Sequence, residues 1–255
     1  MGKTLYLECY SGISGDMTVA ALLDLGADQA VLDSALKSLP VSGFQTKISR
    51  VVKGGIDACD FDVMLDKKHE NHDHDMEYLH GHHENTEADT HLHTHENGTD
   101  EMHMHSHTQE HTHAHDTESA HGHHHHEHRG LKEITHMIEH SDMTENAKKT
   151  ALRIFGILAE AEGKAHNVPA DQVHFHEVGA VDSIVDIVSA AVCLDNLEIT
   201  DVIVPVLHEG CGTVRCQHGI LPVPVPAVSN IVSAHQLKLH ITSAVSYTHL
   251  TLPTN

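Results

Sequence analysis

Apolar and polar positions alternate from the start of the chain, and Thr4-Leu-Tyr-Leu-Glu-Cys9 predicts a buried strand. A tight loop, Ser11-Gly-Ile-Ser-Gly-Asp16, follows, and residues 17–25 carry helical spacing that Gly26 ends. A second helix is predicted over 30–39, stopped by Pro40. Two alternating runs, 44–52 and 56–65, flank Lys53-Gly54-Gly55 and predict a β-hairpin. Periodicity then vanishes over residues 69–128. It resumes near Gly130, with a short helix over 131–140 and a longer one over 144–162. Asp142 or Ser141 is the candidate cap of the longer helix, and Gly163 and Pro169 are its closing signals. Residues 181–194 predict a helix, 202–206 a strand, 227–234 a helix and 237–241 another strand. Between them, Gly210-Cys-Gly-Thr-Val214 and a glycine–proline segment read as loop. Parallel and antiparallel signals coexist, so the expected fold class is α/β (mixed α+β).

Composition explains the gap in the pattern. Residues 69–128 hold 21 of the 31 histidines and 14 acids, with no lysine or arginine. The other 195 residues carry 23 acids against 15 bases, a charge of −8 instead of −22 for the whole chain. The acidity is therefore mostly local. Such a segment cannot bury enough apolar surface to offset its ordering entropy, so a disordered His-rich insertion is expected there. As a random coil it would span roughly 40–45 Å. The expected organisation is a first part of an α/β domain over 1–68, the insertion over 69–128, and the rest of the domain over 129–245. Residues 246–255 resemble translated sequencing-adapter sequence and are expected to be a non-native tail. The remainder is large enough for one core, or for two small lobes divided by the insertion.

Several partner classes are disfavoured. No 18-residue uncharged apolar run exists, since the most apolar stretch, 180–206, is broken by Asp182, Asp186, Asp195, Glu198 and Asp201. The N-terminus reads directly into a strand without the basic and apolar regions of a signal peptide. Five scattered cysteines in such a chain are expected to be reduced thiols in a cytoplasm. The acidic balance argues against nucleic acid, whose phosphates need clustered lysine and arginine. A homo-oligomer is left open.

The tract is itself chemistry. Imidazole suits nickel, copper, zinc and cobalt, and nearby carboxylates complete coordination or neutralise charge. Its candidate ligands are His91, His93, His95, His103, His105, His107, His111, His113, His115, His121, His123, His124, His125, His126 and His128. Dense His-x-His spacing on a flexible chain should bind several ions in exchanging arrangements. An expression tag is excluded by the internal position; a solvated linker is the plain alternative. Binding needs neutral imidazole, so loading at pH 7.5 should fall sharply by pH 5.

Three further segments carry candidate residues. In Tyr10-Ser-Gly-Ile-Ser-Gly-Asp-Met17, backbone N–H groups of Ser11, Gly12, Ser14, Gly15 and Asp16 can hold an anion at a helix start, or Asp16 can ligate a cation. A tight turn with Asp16 as a helix-start charge is the alternative. In Val173-His-Phe-His-Glu-Val-Gly-Ala-Val-Asp-Ser-Ile-Val-Asp186, alternation can bring two imidazoles to one side of a strand. Asp182 and Asp186 share a helix face and can hold magnesium or manganese. The alternative is that these aspartates cap the helix while the histidines satisfy local hydrogen bonds. The third segment is His208-Glu-Gly-Cys-Gly-Thr-Val-Arg-Cys-Gln-His-Gly-Ile-Leu-Pro-Val-Pro-Val-Pro-Ala227. Its glycines suit close backbone approach to a ligand, and its prolines an extended entry to the next helix. Cys211 and Cys216 are not spaced as a zinc knuckle, and His218 reads as either a ligand or a loop-packing residue.

Together the Ser-Gly-Ile-Ser-Gly-Asp-Met block, the histidine tract, Phe-His-Glu-Val-Gly-Ala-Val-Asp-Ser-Ile-Val-Asp and His-Gly-Ile-Leu-Pro-Val-Pro resemble the LarC family of nickel insertion proteins. The resemblance covers nearly everything to about Ile241. It implies insertion of Ni2+ into pyridinium-3,5-bisthiocarboxylic acid mononucleotide, forming nickel–carbon and nickel–sulfur bonds. The product is the nickel-pincer cofactor of lactate racemase. It also implies CTP hydrolysis to CMP with Mn2+ or Mg2+, in a C-terminal CTP-binding domain expected to be absent from this chain. His174, His176 and Glu177 are the candidate catalytic bases by residue type. Nickel storage or delivery without catalysis is the alternative, and a metal-dependent hydrolase built on the carboxylate–histidine cluster is a third.

Overall fold

The computed structural model describes residues 2–66, 129–175, 179–216 and 218–243. The expected disordered insertion, with its fifteen candidate histidines, the tail at 246–255, and His176 and Glu177 lie outside these residues. The observed class is the expected mixture of helices and strands.

The chain opens with β1 (Lys3–Tyr6), then α1 (Gly15–Asp24) and α2 (Gln29–Ser38). The predicted hairpin is present as β2 (Phe44–Lys53) and β3 (Ile56–Leu65), paired antiparallel from Phe44↔Leu65 to Lys53↔Ile56. Gly54 and Gly55 both have positive φ, 59° and 81°, as the two-residue hairpin turn requires. A short β4 (Arg129–Gly130) leads into α3 (Leu131–Glu139) and α4 (Glu145–His166). Then come β5 (His174–Phe175), α5 (Val181–Asn196), β6 (Ile199–Ile203), β7 (Leu207–Glu209), β8 (Gly212–Cys216), β9 (Gly219–Val223), α6 (Pro226–Ala234) and β10 (Leu239–Ile241).

Four predicted boundaries are corrected. The cap of α4 is Thr144, whose hydroxyl accepts the Ala147 N–H at 3.2 Å, and not Asp142 or Ser141. Helix α4 runs through Gly163 and ends at Asn167, which takes the left-handed conformation at φ 56°. Gly163 is a close-approach residue: a Cβ there would lie 2.7 Å from the Val168 carbonyl oxygen, where the chain folds back over the helix. The strand expected at 202–206 forms earlier, as β6, because β1 selects its register through Leu5↔Val202 and Tyr6↔Ile203. The expected glycine–proline loop is the β8–β9 hairpin, with Pro222 opposite Thr213.

Helix α5 is the axis of the core. Its Ile184, Val185 and Val188 are fully buried, and α1, α2 and α4 pack around it. Helix α4 contributes Ala147, Ala151, Phe155 and Ala159, a stripe with a spacing of four. Phe61 of β3 and Phe175 of β5 close the same cluster. Each fully buried Leu, Ile, Val or Phe contributes about 1.5–3 kcal/mol, so this cluster holds α1 and α5 in fixed contact. Among the described residues no helix is long and apolar enough to cross a membrane.

Candidate functional site

Parallel pairing of β1 with β6 sends the chain out of β1 at a strand end, the usual position for a site in a parallel sheet. The backbone continues beside β7, bridging Cys9 to Leu207, and turns where the Gly12 N–H meets the Cys9 carbonyl at 3.1 Å. Ser14 then caps α1: its hydroxyl accepts the Met17 N–H at 3.4 Å and donates to the Asp16 carboxylate.

Here α1 meets α5. A Cβ on Gly15 would fall on the Asp186 carboxylate and within 2.7 Å of the Asp186 Cβ. Only glycine lets the helices approach this closely. The Asp16 backbone N–H donates to Asp186, while the charges of Asp16 and Asp182 press on it. Asp186 Oδ1 is buried and has no hydrogen-bond partner among the described residues. Burial first, then the charge of Asp16, then that of Asp182, push the Asp186 carboxyl up to about 7. Such a group needs a proton or a cation.

This geometry bears on readings that the sequence left open. The first N–H groups of α1 already serve Ser14 and Asp186, and three carboxylates surround them. An anion is disfavoured there and a cation favoured. Neither aspartate is the cap of α5: its N-cap is Ala180, with no side-chain cap bond, while Asp182 in the first turn accepts the Ser183 N–H at 2.8 Å. The two aspartates share a face of α5 as expected, and Asp16 joins them from 170 residues away. Charge and an orphaned oxygen suit a divalent cation, yet among the described residues no three His, Cys, Asp or Glu side chains converge as a ready ligand set. The junction supplies the field for a cation and not a finished coordination sphere.

His174 is exposed on β5, opposite Gly130 of β4. Gly179, two residues before α5, packs closely on β5: a Cβ there would lie 2.7 Å from the Phe175 carbonyl oxygen. Arg129 donates to the Gly179 carbonyl at 3.3 Å. His218 lies 3.9 Å from the Cys216 thiol and 4.8 Å from the His166 ring, so it packs within a small cluster.

One group of residues escaped the sequence reading. The Tyr10 ring meets His208 edge-on at 5.4 Å, and His208 meets His240 at 5.1 Å. His208 and His240 are register partners on the parallel pair β7–β10. No local pattern connects positions this far apart; only the pairing of β7 with β10, and the bridge from Cys9 to β7, assembles them.

The match to known proteins covers nearly all of this scaffold. The model of the family described as nickel insertion protein matches residues 5–255. Three relatives are each called pyridinium-3,5-bisthiocarboxylic acid mononucleotide nickel insertion protein. That from Alkaliphilus metalliredigens is 49% identical over 242 residues, 95% of this chain and 48% of the relative. That from Geobacillus kaustophilus is 38% identical over 236 residues, 90% of this chain and 44% of its own length. That from Acetivibrio thermocellus is 36% identical over 252 residues, 99% and 50% respectively. The chain thus spans about half the length of the curated relatives it matches. No solved structure matches it. With the three motifs standing on one folded scaffold and the family model matched along almost its whole length, the chain belongs to the nickel insertion protein family.

Proposed function

We propose that this chain contributes to nickel insertion into pyridinium-3,5-bisthiocarboxylic acid mononucleotide, the substrate that its relatives' names print. The observation that carries the reading is the α1–α5 junction, where Gly15 and Asp16 close onto the half-buried Asp186 in a member of this family. Nickel is the cargo. The His-rich tract, 69–128, gathers Ni2+ on imidazoles and supplies it to the folded part.

Insertion exchanges nickel's nitrogen ligands for the two thiocarboxylate sulfurs and the ring carbon between them. The ring C–H bond breaks, its electron pair goes to nickel, and its proton leaves to a base. Nickel remains Ni2+ throughout. His174, His176 and Glu177 are the proposed bases, on the segment that enters α5. Asp182 and Asp186, with Asp16, are the proposed holders of a divalent cation, Mn2+ or Mg2+, whose charge would draw in the anionic nucleotide. The loop 11–16 is the proposed place of that nucleotide once a cation at the junction offsets the carboxylates there. CTP use, and the supply of a nickel-pincer cofactor to lactate racemase, are assigned to the protein at the relatives' full length. A cytoplasmic location fits the reduced cysteines expected of the chain.

The competing reading is nickel storage and delivery without chemistry, which the tract alone would support. Mass spectrometry of the nucleotide after incubation with Ni2+, CTP and Mn2+ separates the two. It should be run on this chain and on a version of the relatives' full length. A product carrying nickel less the ring proton supports insertion; unchanged nucleotide with nickel-loaded protein supports delivery. Deleting 69–128 should leave insertion intact when nickel is in excess. Complete loss under excess nickel would instead mean direct transfer from the tract.

A further inference from the structure

The row of rings formed by Tyr10, His208 and His240 has no role in the chemistry above. The chain has four tyrosines, four phenylalanines and no tryptophan, so aromatic surface is scarce. Tyr10 is nevertheless 60% exposed, at the point where the chain leaves the sheet for the loop into α1. Its ring is propped edge-on by His208, and His208 by His240, across adjacent extended segments. His208 is held by this packing; its Nδ1 is buried and has no hydrogen-bond partner among the described residues. A buried polar atom left so is a recurrent mark of a functional position.

A propped, exposed tyrosine face is electron-rich and attracts a planar cation. We infer that Tyr10, braced by His208 and His240, is the stacking platform for the ring of an N-ribosyl pyridinium mononucleotide. Tyr10 touches the ring; His208 and His240 are positioning residues that fix its angle. This assignment rests on the insertion reading for the identity of the nucleotide. It adds which residues recognise the ring, as distinct from its phosphate or its sulfurs.

The test uses the whole chain and two commercial probes, nicotinate mononucleotide and ribose 5-phosphate, the second lacking the ring. Binding is read by titration NMR, which also reports ring-current shifts of the pyridinium protons. Wild type should bind the ring-bearing probe about tenfold more tightly, a gap in the range of cation–π contacts, with upfield-shifted ring protons. Tyr10→Phe should keep both the preference and the shifts. Tyr10→Leu should lose both while its affinity for ribose 5-phosphate stays the same. Tyr6, 55% exposed on β1 and outside the row, is the control, and Tyr6→Leu should behave as wild type. His208→Ala should weaken the ring shifts, because the platform loses its brace. Equal affinities for the two probes in wild type, or intact ring shifts in Tyr10→Leu, would overturn the platform. Those results leave the insertion reading to its own mass measurement. Ring-dependent binding without any insertion would instead sink that reading and keep the platform.

Discussion

The two halves of α5 carry different chemistry. Its C-terminal half buries Val188, Ala191, Val192 and Cys193 against apolar neighbours, with the small, uncharged Ser189 hydroxyl among them. Its N-terminal half buries Ile184 and Val185 on one side and turns Asp186 toward α1 on the other. The first half lowers the free energy of folding by removing apolar surface from water. The second raises it, since a desolvated carboxyl faces two more carboxylates with one oxygen unpartnered. A fold that keeps such a junction holds it at a cost in stability. The contrast separates residues that hold the fold from residues that act, and each substitution below is chosen to break or sharpen it.

The largest stability effect should come from the apolar side. Phe155, fully buried on α4 and 6.2 Å from the Phe175 ring, fills the centre of the cluster. Phe155→Ala should destabilise the fold by about 3–5 kcal/mol in urea unfolding, through lost burial and a residual cavity. A change under about 1 kcal/mol would mean that the cluster is not one packed core.

Asp186→Asn should act in the opposite direction. Its folded-state carboxyl titrates at about 7, above the ordinary 3.8, so the native state holds the proton more tightly than the unfolded chain. The associated stabilisation is complete below pH 4 and is lost as pH rises towards 7. At most about 4 kcal/mol is lost, and less after partial solvent screening. In chelator, wild type should therefore weaken between pH 4 and pH 8 relative to Asp186→Asn. Parallel stability–pH curves for the two proteins would contradict this.

A smaller shift should follow cation addition. If the junction takes a divalent cation, Mn2+ at a hundredfold excess over its Kd stabilises wild type by about 2.7 kcal/mol. Thermal unfolding at pH 8 should show this gain, and Asp186→Asn should lose most of it. An equal gain in both proteins would place the cation elsewhere.

The fold was legible wherever local signals agreed. Alternation and the Gly54–Gly55 turn gave β2 and β3 to within a residue. Signals failed where a tertiary partner decided. Gly163 reads as a helix stop, but its missing Cβ serves the returning Val168 carbonyl. The apolar run 202–206 permits several strand registers, and pairing with β1 chooses one that begins at Ile199. The site divides the same way. Asp182 and Asp186 are four apart and declare a shared face, whereas the approach of Asp16 depends on α1 packing on α5. Tyr10, His208 and His240 become neighbours only through strand pairing that no local pattern contains.

The most direct test of the account joins stability to function in one variant. Asp186→Asn should be at least as stable as wild type at pH 8, so any loss of activity cannot come from unfolding. Nickel insertion should be measured by mass spectrometry of the nucleotide product, in the protein at the relatives' full length, with nickel in excess. The account predicts a stable variant that forms product about 10–100-fold more slowly, as for lost support of a metal centre. Product formation at the wild-type rate would contradict it and return Asp186 to a structural role.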